Sequence, residues 1–120
     1  MMNKAQALNN FWNGFGLIAY DESTVPDDAA LPYITYNFGE DEFGYSISLN
    51  ASLWYRGRRW DEITTKFNEI SEHISRGGIM VPYEGGAMLI RKGTPFAQRM
   101  KDEDDSIRRI YMNVEVEYIS

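Results

Sequence analysis

The side chains able to do chemistry in this chain are few in kind. His73 is the only histidine in 120 residues, and there is no cysteine. Thiolate catalysis, disulfides and cysteine-bound zinc are therefore excluded. A lone imidazole needs a nucleophile to activate and a carboxylate to orient it. No nucleophile pairs with His73 in the sequence, and it stands one place before Ile74 at the edge of an apolar stripe. It reads as a surface or boundary residue. Carboxylates are abundant and clustered, at Asp27-Asp28, Glu40-Asp41-Glu42 and Asp102-Glu103-Asp104-Asp105. Grouped carboxylates can hold a divalent ion that activates water, so a metal-dependent hydrolase working through loop acids is one reading. The other is that they are solvated acidic loops. All three clusters fall in segments that read as loops. The last lacks the central glycine and terminal glutamate of a calcium loop. The glycine pairs Gly77-Gly78 and Gly85-Gly86 lack the spacing and the lysine of a phosphate loop. The residues predict no catalytic group, no cofactor and no metal ligand set.

Two other constellations favour contact over catalysis. Arg56, Arg58 and Arg59 sit among Trp54, Tyr55 and Trp60. Arginines interleaved with aromatics can grip single-stranded nucleic acid through charge and stacking. They can equally anchor a protein interface, where Trp, Tyr and Arg carry most of the energy. They can also be a solvated turn between two core aromatics. Net charge is −6, with 18 acids against 12 bases. That disfavours nucleic acid and anionic membrane, which both need an excess of Lys and Arg. The second constellation is Gly93-Thr94-Pro95-Phe96-Ala97-Gln98-Arg99-Met100, where Phe96 and Met100 lie in a stretch with no clear period. Residues 93–106 read as a long polar connection, and a long loop in a small domain is usually functional. It is expected to order against a partner.

Amphipathic periods define the elements that must carry these groups. Ala5, Leu8, Trp12 and Phe15, with Phe11 beside them, predict a helix over residues 3–15. Residues 17–20 predict a brief strand, and residues 21–30, with Pro26 and four acids, a solvated loop. A strand over 31–38 begins at Pro32, where the missing N–H is tolerated. After the acidic turn of residues 39–44 comes the cleanest alternation. Tyr45, Ile47, Leu49, Ala51, Leu53 and Tyr55 oppose Ser46, Ser48, Asn50 and Ser52, and Trp54 breaks the polar face. That pattern predicts an antiparallel strand with one buried side. Trp60, Ile63, Phe67, Ile70 and Ile74 then form one helical stripe, ended at Gly77-Gly78. Residues 79–83 and 87–92 predict a hairpin turning at Glu84-Gly85-Gly86. In the final strand Ile110, Met112, Val114, Val116 and Tyr118 oppose Tyr111, Asn113, Glu115 and Glu117.

The order α-β-β-β-α-β-β-β predicts an α+β domain spanning residues 1–120. Its single antiparallel sheet has about five to six strands, covered by one or two helices. Hydrophobic content of 43% suffices for one core at this length. No apolar run approaches a membrane span, and the polar-interrupted first residues do not read as a leader.

Four stretches carry a resemblance. They are Leu31-Pro32-Tyr33-Ile34-Thr35-Tyr36; Leu53-Trp54-Tyr55-Arg56 running into the Trp60 helix; Gly93-Thr94-Pro95-Phe96-Ala97-Gln98; and Ile107-Arg108-Arg109-Ile110-Tyr111. In these the chain resembles the small tail terminator, or tail completion, proteins of long-tailed phages and prophages, often labelled minor capsid proteins. The resemblance implies an α+β fold and a homo-oligomeric ring, usually of six. It implies a place in the virion tail or neck after assembly in the bacterial cytoplasm, with the tail tube and head connector proteins as partners. It implies no enzymatic activity and no cofactor. A different head–tail connector, an adaptor or stopper, is the nearest alternative. A ring needs one patch to meet a different patch on its neighbour. The interface candidates are Trp54, Arg56, Arg58, Arg59, Phe96 and Met100, together with Asp102, Asp104 and Asp105. Arginines of one copy are expected to meet acids of the next.

Overall fold

A computed structural model of the chain describes residues 2–41 and 44–120, so Glu42 of the acidic turn lies outside the described residues. The elements are α1 (Lys4–Trp12), β1 (Ala19–Asp21), β2 (Tyr33–Tyr36), β3 (Ser46–Arg56), α2 (Asp61–Ile74), β4 (Ile79–Tyr83), β5 (Gly86–Met100) and β6 (Ile107–Ile119). All six strands join one sheet in the order β1-β2-β3-β6-β5-β4. The fold is α+β, as the periods predict.

The central pair, β3 and β6, is antiparallel over eleven consecutive residue pairs, from Ser46↔Glu117 to Arg56↔Ile107. This register puts Leu49, Ala51 and Leu53 beside Val114, Met112 and Ile110. All six are buried. Met88 and Ile90 on β5 and Ile34 and Tyr36 on β2 extend that layer outward. Both helices cover it. From α2 come Ile63, Ile70 and Ile74, and from α1 Leu8, Phe11 and Trp12. The α1 stripe includes Ala7 in place of the expected Ala5, which is exposed. Asn3 opens α1 with a reciprocal capping box to Gln6, at 2.8 and 2.9 Å. The helix then crosses the sheet. The Met2 carbonyl accepts from Glu84 N–H beside β4 (2.7 Å), and Asn13 Oδ1 accepts from Ala19 N–H on β1 (2.9 Å).

Several details depart from the periodic reading. β1 lies parallel to β2, so the sheet is mixed at that edge. The connection over residues 22–32 carries the chain back to the start of β2, and only such a crossover allows parallel pairing. Tyr45 precedes β3 and is exposed, outside the alternating face assigned to it. The second helix stops at Ile74 before the glycine pair. Ser75 takes φ 58° there, and its hydroxyl donates to the Gly78 carbonyl (3.2 Å). His73 therefore occupies the last turn.

The largest correction concerns residues 93–106. Residues 93–100 are strand, and only 101–106 connect β5 to β6. The register breaks between Lys92 and Ala97, so residues 93–96 together oppose Asn113. Asn113 Nδ2 donates to the Pro95 carbonyl (3.2 Å), closing this bulge. The extra residues disrupt the two-residue period, which is why the segment reads as loop. Phe96 packs against the core, its ring 5.6 Å from that of Phe67 on α2.

Tyr118 fastens the end of β6. It is fully buried, and its hydroxyl donates to the Gly39 carbonyl at 2.6 Å. Burial first, then the Glu40 charge, pushes its phenol up to about 12. A raised folded-state value means the neutral phenol stabilises the fold fully below pH 10 and that the contribution is lost as pH rises toward 12. Denaturant titrations from pH 9 to 12 should show a loss on the order of 2 kcal/mol from this group. Tyr118→Phe should be about 1 kcal/mol less stable near pH 8, from the lost hydrogen bond, and show a shallower alkaline slope. An unchanged slope would assign the loss to another group.

Candidate functional site

The arginine corner is built where β3 ends and α2 begins. Trp60, the residue before α2, makes no side-chain cap, and its ring packs against the core. Arg99 from β5 stacks on Trp60 with its guanidinium carbon 4.5 Å from the ring centre, and Arg108 from β6 lies 5.4 Å from it. Arg108 also staples the turn. Its Nε and Nη2 donate to the Arg58 carbonyl (3.2 and 2.6 Å), and its Nη1 donates to the Asp105 carbonyl (2.9 Å). Gly57 N–H donates to the Ser106 carbonyl (2.6 Å). Three segments distant in sequence are thereby tied into one corner.

The acids opposite are committed to the same chain. Asp102 Oδ1 accepts from Asp104 N–H (2.9 Å). Asp104 Oδ1 accepts from the Ser106 hydroxyl (2.7 Å) and N–H (2.9 Å). Those two bonds, hydroxyl first, hold the Asp104 carboxyl below the usual range. Arg58 Nε lies 3.7 Å from Asp105 Oδ2, and Arg59 Nε 3.0 Å from Asp61 Oδ2. Arg56 Nη1 reaches the Ser106 hydroxyl at 3.5 Å. Of the pairings expected between copies, Arg58 with Asp105 is formed within one chain, whereas Arg59 turns to Asp61 and Arg56 to Ser106. Both ion pairs are largely exposed, and such pairs contribute little. The groove above this corner, lined by Tyr55, Arg56 and Glu62 among others, is an open one of about 500 Å³.

Trp54 belongs to a second surface. The helices cover one face of the sheet, and Trp54 stands on the other, half-buried, with Nε1 donating to Thr35 Oγ1 (2.9 Å). The register sets Tyr33 and Arg109 on either side of it, and Met100 beyond Arg109. The Arg109 guanidinium lies 4.5 Å from the Trp54 ring and 5.5 Å from the Tyr111 ring, and Nε donates to Ser52 Oγ (3.0 Å). Tyr20 meets Tyr33 edge to face at 5.6 Å. Trp54 and Met100 therefore share this open face, whereas Phe96 lies on the helix side. Sequence reasoning missed Arg109, Arg99 and Arg108. Arg109 falls on the polar side of the β6 alternation, but only the register sets it beside Trp54.

His73 is exposed, with its ring 5.3 Å from Phe15 and 6.0 Å from Phe11. Among the described residues no three His, Asp or Glu side chains converge as a metal site. Among these residues no helix is long and apolar enough to cross a membrane. Comparison with protein-family models, curated proteins and solved structures finds no match.

The two kinds of arginine contact should separate in stability measurements. Trp60→Ala removes a half-buried indole and two stacked guanidiniums, and should lower unfolding free energy by about 2 kcal/mol. Arg58→Ala should leave the denaturation midpoint within error of the parent chain. Equal losses for the two would mean that the exposed ion pair, not the stack, holds the corner.

Proposed function

We propose that this protein is a structural assembly protein of a long-tailed phage or prophage. In this reading it is the terminator that caps the tail tube and offers the surface to which the head joins. The observation that carries this is where the resembling segments fall. Residues 31–36, 53–56, 93–98 and 107–111 occupy or flank four strands adjacent in the sheet, in the order β2-β3-β6-β5. Stretches scattered along the chain thus form one contiguous region of the sheet. The chemistry of that region suits contact: stacked arginines and aromatics, satisfied acids and an open sheet face.

A terminator acts by fit alone. Its copies join through a heterologous contact that closes into a ring, six by resemblance, and the ring blocks further addition to the tube end. No bond is made or broken, so no cofactor is needed. The protein works in the tail or neck of the virion, after assembly in the host cytoplasm.

Electron microscopy of the purified protein mixed with polymerising tail tubes tests the reading. Extra density at one tube end and arrested elongation are expected. Unaltered tube growth, with binding to portal or adaptor rings instead, would move the protein to the connector class.

A further inference from the structure

We infer that β4, an outer strand of the sheet, pairs antiparallel with β4 of a second copy about a two-fold axis centred on Met80. Such a contact is isologous, unlike the head-to-tail contact that closes a ring, so it stands whether or not the tail reading does.

The two edges of the sheet differ. At β1 the Asn13 side chain takes both backbone groups of Ala19: Oδ1 accepts from its N–H (2.9 Å), and Nδ2 donates to its carbonyl (3.4 Å). An added strand would find that position already satisfied. The middle of β4 has no such cover. Its hairpin turns through Glu84 and Gly85, so Tyr83 and Gly86 form the closing bonded pair. Bonded pairs then alternate, and Val81 with Met88 and Ile79 with Ile90 exchange hydrogen bonds with β5. Met80 and Pro82 therefore turn their backbone groups outward. Proline suits that place, since it has no N–H to give a ladder. The outer edge thus offers the Met80 N–H and carbonyl and the Pro82 carbonyl. It ends at Glu84, whose N–H donates to the Met2 carbonyl (2.7 Å).

Self-complementarity selects a second copy as the occupant. With Met80 opposite Met80, the two residues exchange two hydrogen bonds, and Pro82 of each copy stands opposite Gly78 of the other. The Ile79 N–H faces β5, so the planar peptide turns the Gly78 carbonyl outward. That carbonyl already accepts from the Ser75 hydroxyl of its own chain (3.2 Å). The position where proline withholds a donor therefore meets a carbonyl that needs none. Centring the axis on Val81 instead would set Met80 opposite Pro82 and leave both Met80 carbonyls without a donor. The Met80 register also brings Glu84 opposite the turn that carries Arg76. Both side chains are exposed, and among the described residues neither makes an ion pair. The two-fold axis forms that charge pair twice. Met80 is 51% exposed and sits beside Leu89 on the open face, so pairing makes one apolar row of Leu89, Met80 and their copies. On the helix side the half-buried Ile79 and Val81 stand opposite each other across the axis.

The absence of cysteine makes the register testable. Across the axis the two Met80 Cα atoms would stand about 5.5 Å apart, the separation of a bonded antiparallel pair and within the span of a disulfide. Met80→Cys should therefore oxidise to a covalent dimer. Pro82→Cys, out of register with its own copy, should not. Sedimentation of the parent chain should show association in pairs. Met80→Lys sets like charges directly opposite and should weaken that association at least about tenfold. Glu84→Arg should weaken it about threefold or more at low salt, and adding Arg76→Glu should restore it. Met80, Pro82, Arg76 and Glu84 are all exposed, and circular dichroism checks that each variant folds. A parent chain that stays monomeric at the highest attainable concentration overturns the inference. So does equal cross-linking of Met80→Cys and Pro82→Cys, unchanged association in Met80→Lys, or a Met80→Cys chain that cross-links to tube protein in preference to itself.

Discussion

The pairing of β3 with β6 is the constraint on which the rest depends. Eleven successive residue pairs fix which side chains of both strands face the helices. A slip of one residue in β6 would turn Met112, Val114 and Val116 to solvent and bury Tyr111, Glu115 and Glu117. β2 pairs outward from β3, and β5 outward from β6. The same register places Arg108 within reach of Trp60 and Tyr118 within reach of Gly39. Corner and core are consequences of one alignment.

That alignment leaves a sheet with unlike faces. The helix side is apolar and filled. The other side divides along the strands, with Tyr33, Trp54, Arg109 and Tyr111 toward one end and Ser46, Ser48, Glu115 and Glu117 toward the other. An antiparallel sheet tolerates a solvated face of this kind, since its backbone groups are satisfied in the ladder whatever covers the side chains. A protein that works by assembly can use such a face without disturbing its core. The arginine corner has a different character. Its carbonyls, carboxylates and indole are already engaged by neighbouring groups, so it acts first as a fastening between the end of β3, the start of α2 and the connection over residues 101–106.

The sequence alone carries the core strands and the helix stripe. Ile47 to Leu53, Ile110 to Tyr118 and Ile63 to Ile74 could be assigned because burial on one side imposes a period of two or of 3.6, and those periods survive in the residue types. It did not reveal the bulge at residues 93–96, because extra residues break the phase that makes a strand recognisable. Nor did it reveal the parallel edge strand, because three residues are too few to show a period. The surfaces take shape only once the strands are paired. Local order along the chain put Arg56, Arg58 and Arg59 beside Trp54 and Trp60, yet the arginines stacked on those rings are Arg109, Arg99 and Arg108, brought there by strands far away in sequence. A buried face is written into each strand separately, whereas a contact between strands exists only once their register is set.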